Sequence, residues 1–181
     1  LFNDNFTVFE FDIDRTKRFS DGTYLSASDF KRSWEKSLAL EPISSNNSLL
    51  DVLYKIKGFE NFARSKTLTG VEVKDEDTLV ISFSTPFRMA LDHLSGNRFA
   101  AFKEKDGQYI GTGNYIVTEE NSDKLTLTPS PYSNLTNSIS LTFIPPSKIG
   151  AGISTGEIDC IPYLQGTMVD ESFLSHEIQL I

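Results

Sequence analysis

The sequence has few of the residues that build covalent, metal and catalytic sites. Its 181 residues include one cysteine, Cys160, and two histidines, His93 and His176. A single cysteine forms no internal disulfide, and a structural zinc site needs several clustered thiol or imidazole ligands. Catalysis by a serine or cysteine nucleophile needs a positioned base, and neither histidine lies in a recognisable motif. We therefore expect no catalytic residue, no metal site and no cofactor.

Positive charge and long apolar runs are also scarce. Lys and Arg number 17 against 25 Asp and Glu, which gives a formal net charge of −8. Nucleic-acid binding depends on clustered Lys and Arg that displace counterions, so we expect this segment not to bind nucleic acid. No apolar run approaches the roughly 20 residues of a membrane-spanning helix. Hydrophobic residues still make up 39% of the chain, enough for a globular core.

Two short motifs suggest ligand chemistry but lack its remaining parts. Residues 111–113, Gly-Thr-Gly, are not followed by the Lys and Ser or Thr of a phosphate-binding loop, so we predict a backbone turn there. Residues 75–77, Asp-Glu-Asp, lack the glycine and the distant glutamate of a calcium-binding EF-hand loop. We predict a solvated hairpin turn for this second motif.

Hydrophobic periodicity and capping residues predict the helices. They begin at Ser26, at Ser48 and at Phe87, and a weak helix surrounds Gly150 and Gly152. In the first, Ser26 and Asp29 have the spacing of a capping box, and Trp34 falls on the face that we expect to be buried. The second is expected to run to Lys57 and to end in a left-handed cap at Gly58.

Alternation of apolar and polar residues predicts the strands. They cover about residues 6–13, 71–73, 79–83, 115–118, 124–128, 139–143 and 158–161. Short polar turns join two pairs of them into hairpins, and the last two flank the weak helix as a βαβ unit. Cys160 falls in the final strand and is expected to be buried and inert. Because the chain enters directly into one strand and stops within another, we expect it to be part of a larger fold.

Four groups of residues occur in an order and spacing typical of one protein family. They are RFSDGT, SASDF and SWE within 18–35, GVEV and DTL within 70–79, GTGNY at 111–115, and STGEID at 154–159. Together they resemble the bacterial extracellular solute-binding proteins of family 5, which include the oligopeptide-, dipeptide- and nickel-binding proteins of ABC importers. The chain departs from the family pattern at Asn114, where Pro is usual, after Tyr132, where a Trp is usual, and at Gly150 and Gly152. It therefore resembles a divergent member.

The resemblance implies a mixed α/β fold of the periplasmic-binding-protein type II class, of which this chain holds a part. Residues 1–98 would form a β-rich accessory lobe with two helices, and residues 99–181 would form part of the first ligand-binding lobe. In the family, two lobes close on a ligand about a hinge. The chain itself would then be a binding module and not an enzyme.

The function implied by the resemblance is capture of an oligopeptide or similar small solute for an ABC permease. The parent protein is expected to be a monomer in the periplasm or outside the cell, including the option of a lipid-anchored protein. The alternative is an effector-sensing domain of a transcriptional regulator, which an upstream DNA-binding domain would reveal. A hydrolase on the same scaffold would need a converging base and nucleophile, and the sequence shows no such pair.

The resemblance also points to one candidate ligand-binding stretch, residues 161–166. In the family, the chain that leaves this part of the sequence runs toward the cleft between the lobes. Pro162, Tyr163 and Gln165 are the candidate residues. Tyr163 offers an aromatic face, and Gln165 offers amide hydrogen bonds to a peptide backbone. The alternative is a surface loop without ligand contacts.

Overall fold

Residues 1–40 and 48–161 are described by the structure, a computed structural model of the chain. The strands are β1 (Val8–Asp12), β2 (Val71–Val73), β3 (Thr78–Ser82), β4 (Phe102–Lys105), β5 (Gln108–Gly111), β6 (Tyr115–Glu120), β7 (Lys124–Pro129) and β8 (Ile139–Thr142). The helices are α1 (Ala27–Leu40), α2 (Ser48–Leu53), α3 (Phe62–Ser65), α4 (Ala90–Leu94) and α5 (Pro146–Ser154). Short 3₁₀ turns occupy Phe59–Asn61 and Asn97–Phe99.

The chain divides into two units. Unit 1 contains residues 1–116 and 129–136, and unit 2 contains residues 117–128 and 137–181. These units are defined by contacts within this chain, whereas the expected boundary at residue 98 concerns the lobes of the parent protein and stays a prediction. Within 1–40 and 48–161, none of the helices has the length and apolar content that crossing a bilayer requires.

The sheet of unit 1 is antiparallel, with strand order β1-β3-β2. Ile81 in the central strand lies opposite Phe9 on one side and Val71 on the other, and all three are buried. Alternate residues of a strand point to the same face, so this register places one apolar row against the core. The hairpin predicted for β2 and β3 is confirmed.

Helix α1 packs its apolar side on this core, as predicted. Asp29 accepts hydrogen bonds from the backbone N–H of Ser26 at 2.9 Å and from its hydroxyl at 2.8 Å, so the carboxylate half of the capping box is present. Trp34 and Leu38 are buried, and the Trp34 indole N–H donates to the carbonyl of Phe99 at 2.9 Å. The start of the helix and its buried face are therefore set by Ser26, Asp29 and Trp34, the residues on which the sequence prediction was based.

Helix α2 ends earlier than predicted, at Leu53 rather than Lys57. The N–H of Lys57 donates to Ser82 at 2.8 Å, and the N–H of Ser84 donates to Lys55 at 2.8 Å. Residues 55–57 therefore bond to the end of β3 instead of continuing the helix. Gly58 has φ of 81°, the left-handed conformation predicted for it.

A hairpin that the sequence analysis missed follows, formed by β4 and β5. Its two-residue turn is Asp106-Gly107, with φ of 52° and 78°. Positive φ at both positions is typical of the type I′ turn, whose twist matches that of the flanking strands. The Ser33 hydroxyl lies 2.8 Å from the N–H and 2.9 Å from the carbonyl of Phe102, which ties β4 to helix α1.

Unit 2 contains most of the sheet β6-β7-β8 and helix α5. The strands near 115–118, 124–128 and 139–143 are confirmed, and so is a helix around Gly150 and Gly152. Gly152 leaves room for a close neighbour, since a Cβ there would lie 2.6 Å from Cδ1 of Ile158. The glycine that weakens the helix also allows the following chain to pack on it.

The strand predicted at 158–161 is wrong, and with it the βαβ unit, because this segment carries no strand pairing in the structure. The N–H groups of Glu157 and Ile158 donate to the carbonyl of Gly152 at 2.9 and 3.1 Å. The chain after α5 therefore folds back on the helix end instead of extending along a sheet. The predicted burial of Cys160 is wrong as well, since this residue is exposed.

Candidate ligand-binding sites

The three residues predicted to bind ligand lie outside the described part of the chain. Pro162, Tyr163 and Gln165 follow Ile161, the last residue that the structure describes. What the structure gives is the approach to them: helix α5, a left-handed turn at Gly156 with φ of 72°, and the return of Ile158 onto Gly152. Their role in binding stays a prediction.

A cavity in unit 1 has the size of a small-molecule site. Its volume is about 530 Å³, within the range of ligand pockets. Residues from three separate stretches line it: Arg15, Tyr24, Leu25, Ser26, Glu76 and Asp77. Two backbone bonds join these stretches, from Ala27 N–H to the Glu76 carbonyl at 2.8 Å and from Ile13 N–H to the Asp77 carbonyl at 2.7 Å. The hairpin turn of β2 and β3 thereby forms one wall.

The charges of this cavity are largely satisfied within the protein. Arg15 pairs with the carboxylate of Asp77, and its guanidinium lies 3.7 Å from Glu76. The hydrogen bond to Asp77 raises the pKa of Arg15. Backbone N–H groups of Asp77 and Thr78 donate to Asp75 at 2.9 and 2.8 Å, and these bonds lower the pKa of Asp75. The turn thus stays anionic and the arginine stays cationic.

The Arg18 side chain lies against the ring of Tyr24, which lines the cavity, and near the ring of Tyr132. The Arg18 guanidinium lies 3.8 Å from the centroid of the Tyr24 ring and 5.6 Å from that of Tyr132. It also donates to the Gly22 carbonyl at 3.1 Å and to the Tyr24 hydroxyl. The Tyr132 hydroxyl occupies the position that a side chain at Gly22 would fill. The Gly22 turn, seen in the sequence as part of a family motif, therefore packs under an aromatic side chain.

This arrangement supports noncovalent contacts. An aromatic face, an apolar Leu25 side chain and fixed charges line the cavity, and none of its six lining residues is a histidine or cysteine. His93 instead packs on the Phe87 ring at 5.3 Å. In the described ranges 1–40 and 48–161, no group of three or more His, Cys, Asp or Glu side chains is placed to hold a metal ion.

Sequence reasoning did not find the cavity. Its walls come from residues 15, 24–26 and 76–77, which the pairing of β1 with β3 and the backbone bond from Ala27 to Glu76 bring together. The sequence signal for one wall was present, since 75–77 was correctly predicted to be a hairpin turn. What the sequence could not show is that the turn faces Tyr24.

The chain matches a known protein family over nearly its whole length. Residues 2–179 match the family described as bacterial extracellular solute-binding proteins, family 5 Middle. The chain belongs to this family. The resemblance inferred from the order of four sequence motifs is thereby confirmed. No curated protein matches the sequence.

Solved structures of several bacterial peptide-binding proteins share the fold of this chain. An oligopeptide ABC transporter substrate-binding domain from Bacillus anthracis has a TM-score of 0.74 at 15% identity and covers 88% of this chain. The murein tripeptide-binding protein of Escherichia coli has a TM-score of 0.73 at 20% identity and covers 87%. The OppA protein of Listeria monocytogenes bound to peptide has a TM-score of 0.70 at 18% identity and covers 87%. The chain spans 34%, 35% and 35% of these proteins, respectively.

These similarities confirm the predicted fold class. The chain has a mixed α/β fold of the periplasmic-binding-protein type II class. It forms only part of that fold, because it covers about a third of each solved structure. Members of the family are solute-binding transport proteins of bacteria. The alternative of a transcriptional regulator gains no support from the comparisons.

Proposed function

We propose that the parent protein is the substrate-binding component of a peptide-type ABC importer. It captures an oligopeptide or similar small solute outside the cytoplasmic membrane, by closure of two lobes and without covalent chemistry, and delivers it to a membrane permease. The observation that carries this proposal is the family match over residues 2–179. In this proposal the parent acts as a monomer in the periplasm or at the cell exterior, with or without a lipid anchor.

Peptide is the proposed solute because of the kinds of protein that share this fold. They are the substrate-binding domain of an oligopeptide ABC transporter, a murein tripeptide-binding protein and an OppA protein bound to peptide. The described part of this chain fits a binding role, since its cavity is lined by the aromatic ring of Tyr24, the apolar side chain of Leu25 and the ion pair of Arg15 with Asp77. Sites of this composition orient a ligand by contact and hydrogen bonding.

Within this chain, we assign solute contacts to Pro162, Tyr163 and Gln165. The ring of Tyr163 presents a flat apolar surface to a side chain of the solute, and the Gln165 amide both donates to and accepts from a peptide group. Pro162 restricts the backbone that carries them, because its ring fixes φ. Together they would recognise the peptide backbone more than any one side chain.

Isothermal titration of the full-length parent with peptides of increasing length tests this proposal. We expect at least one peptide to bind with a Kd of about 1 μM or tighter, and Tyr163→Ala and Gln165→Ala to weaken binding about tenfold each. Gln108→Ala, which alters an exposed glutamine of β5, is the matched control and should leave the affinity unchanged. Failure of every peptide to bind would reject the function, whereas unchanged binding in both variants would reject only the assigned residues.

A further inference from the structure

The β4–β5 hairpin is tied to helix α1 at buried positions. Ser33 is 1% exposed, and its hydroxyl lies within hydrogen-bond distance of both backbone groups of Phe102, the first residue of β4. The next helix residue, Trp34, donates its indole N–H to the carbonyl of Phe99, and the two rings meet edge-on at 5.8 Å. Residues of this chain bury Ser33, Trp34 and Phe99, so the attachment does not depend on the rest of the parent protein.

The Ser33 hydroxyl is the central group of this attachment. A hydroxyl has one proton to donate and two lone pairs to accept with. It accepts from the N–H of Phe102 at 2.8 Å, and its proton is directed to the carbonyl of Asp29 at 2.6 Å or of Phe102 at 2.9 Å. A single buried side chain thus joins the backbone of α1 to that of β4. Without it, the Phe102 N–H loses its partner, and buried backbone donors are rarely left unpaired.

Both strands of the hairpin also pack on the stretch that precedes the helix. Ala101, directly before β4, is buried in a small apolar cluster with Phe19, and Ile110 of β5 packs against the same cluster. At the end of β5, the carbonyl of Gly111 accepts a hydrogen bond from the N–H of Ser20 at 3.1 Å. The hairpin is therefore held along both strands and not only where it begins.

Charged side chains of β4 reach the same part of the chain. The Lys103 ammonium lies 3.6 Å from the carboxylate of the buried Asp29 and 4.2 Å from the centroid of the Phe19 ring. Lys36 of the helix pairs with Glu104. Ion pairs between exposed groups contribute little to stability, so the pair with the buried Asp29 is the more important of the two.

We propose that residues 99–111 form one cooperative unit with helix α1, and that Ser33 holds them in it. The division predicted from the sequence, at residue 98, would place the hairpin in the ligand-binding lobe instead. The contacts described above join it to residues 19–36, which lie in the predicted accessory lobe. Segments that share buried contacts open together in local unfolding, so the hairpin should follow the helix.

This assignment moves the lobe boundary of the parent protein to a position after Gly111. The part of this chain that belongs to the ligand-binding lobe would then begin with β6, and the β4–β5 hairpin would contribute no solute contacts. Only this consequence rests on the proposed function, because the attachment of the hairpin is a property of the fold.

Native-state hydrogen exchange of the full-length parent, measured by mass spectrometry in increasing low concentrations of denaturant, tests the proposal. We expect the amides of β4 and β5 to open together with those of α1 and separately from those of α5. Ser33→Ala should let the hairpin open before the helix, with exchange in β4 and β5 about tenfold faster relative to α1. Ser37→Ala, in the same helix, is the matched control and should leave the two segments opening together.

A second variant covers general destabilisation by Ser33→Ala. Trp34→Phe keeps an aromatic ring but removes the indole N–H that donates to Phe99, and it should also release the hairpin before the helix. Opening of β4 and β5 together with α5, or of the whole parent in a single step, would contradict the assignment to α1. A hairpin that still opens with α1 in both variants would reject the role of these side chains. None of these results involves solute binding, so peptide titration decides the proposed function separately.

Discussion

Two glycines of this family 5 chain have similar backbone angles but different surroundings. Gly22 has φ of 89° and Gly107 has φ of 78°, both in the left-handed region. A Cβ at Gly107 would meet nothing within 4 Å, whereas a Cβ at Gly22 would overlap the hydroxyl of Tyr132. The first glycine is required by its turn alone, and the second also by its neighbour.

This difference predicts the cost of adding a methyl group at each site. Gly107→Ala should lower the free energy of unfolding by about 1 kcal/mol, because an L-residue is strained at this φ. Gly22→Ala should cost more, because strain and overlap add. Tyr132→Phe removes the overlapping hydroxyl, so Gly22→Ala should cost less in that background. Urea unfolding of the four variants measures these differences, and equal costs for the two glycines would contradict the packing of Tyr132 over Gly22.

A second residue-scale prediction concerns Asp75 in the β2–β3 turn. Hydrogen bonds from the backbone N–H of Asp77, and further bonds involving Thr78, hold the pKa of Asp75 below its ordinary value of 3.8. A lowered folded-state pKa stabilises the fold above pH 3.8, and that contribution is lost as pH falls through the folded pKa. Asp75→Asn should therefore be less stable than the parent at neutral pH and approach it in acid. Thermal melts across this range measure the gap, and a gap independent of pH would contradict the assignment.

At the scale of elements, helix α1 shows how a local motif sets a boundary. Ser26→Ala removes the hydroxyl that donates to the Asp29 carboxylate and should cost about 1 kcal/mol in the free energy of unfolding, the typical net value of one hydrogen bond. Ser37→Ala, within the same helix, is the matched control and should be neutral or slightly stabilising, because alanine is the better helix former. Chemical denaturation compares the two. Equal effects would show that the capping residue does not matter here.

Elements with complete local signals could be predicted from the sequence. The capping box and apolar face of α1 predicted that helix, and alternation around a polar turn predicted β2 and β3. Helix α2 was predicted too long because Lys55 and Lys57 bond to the end of β3, a tertiary contact without local sequence signal. The β4–β5 hairpin was missed although Asp106-Gly107 is a strong type I′ signal, so this turn could have been found.

The strand predicted at 158–161 failed for a different physical reason. Its residues alternate suitably, but the N–H groups of Glu157 and Ile158 are used by the end of α5. Gly152 allows this fold-back by leaving room for the side chain of Ile158. The glycine was seen in the sequence as a weak point of a helix, and its role in packing became visible only with the three-dimensional contact.

At the scale of the whole molecule, the order of the motifs was more informative than any one of them. The motifs contain features that this fold requires, namely a positive φ at Gly22 and at Gly156 and the start of helix α1 at Ser26. The cavity of unit 1 could not be predicted, because Arg15, Tyr24 and Glu76 meet only through tertiary contacts, which are the pairing of β1 with β3 and the backbone bond from Ala27 to Glu76. The assigned contacts at Pro162, Tyr163 and Gln165 rest on family resemblance alone.

Native mass spectrometry of the full-length parent, purified gently from its own cells, tests solute capture most directly. If the parent is a peptide-binding protein, the purified sample should carry bound species whose masses differ by those of amino-acid residues, and these should dissociate without loss of the fold. A protein that is consistently empty, or that carries a sugar or a metal chelate, would contradict peptide capture.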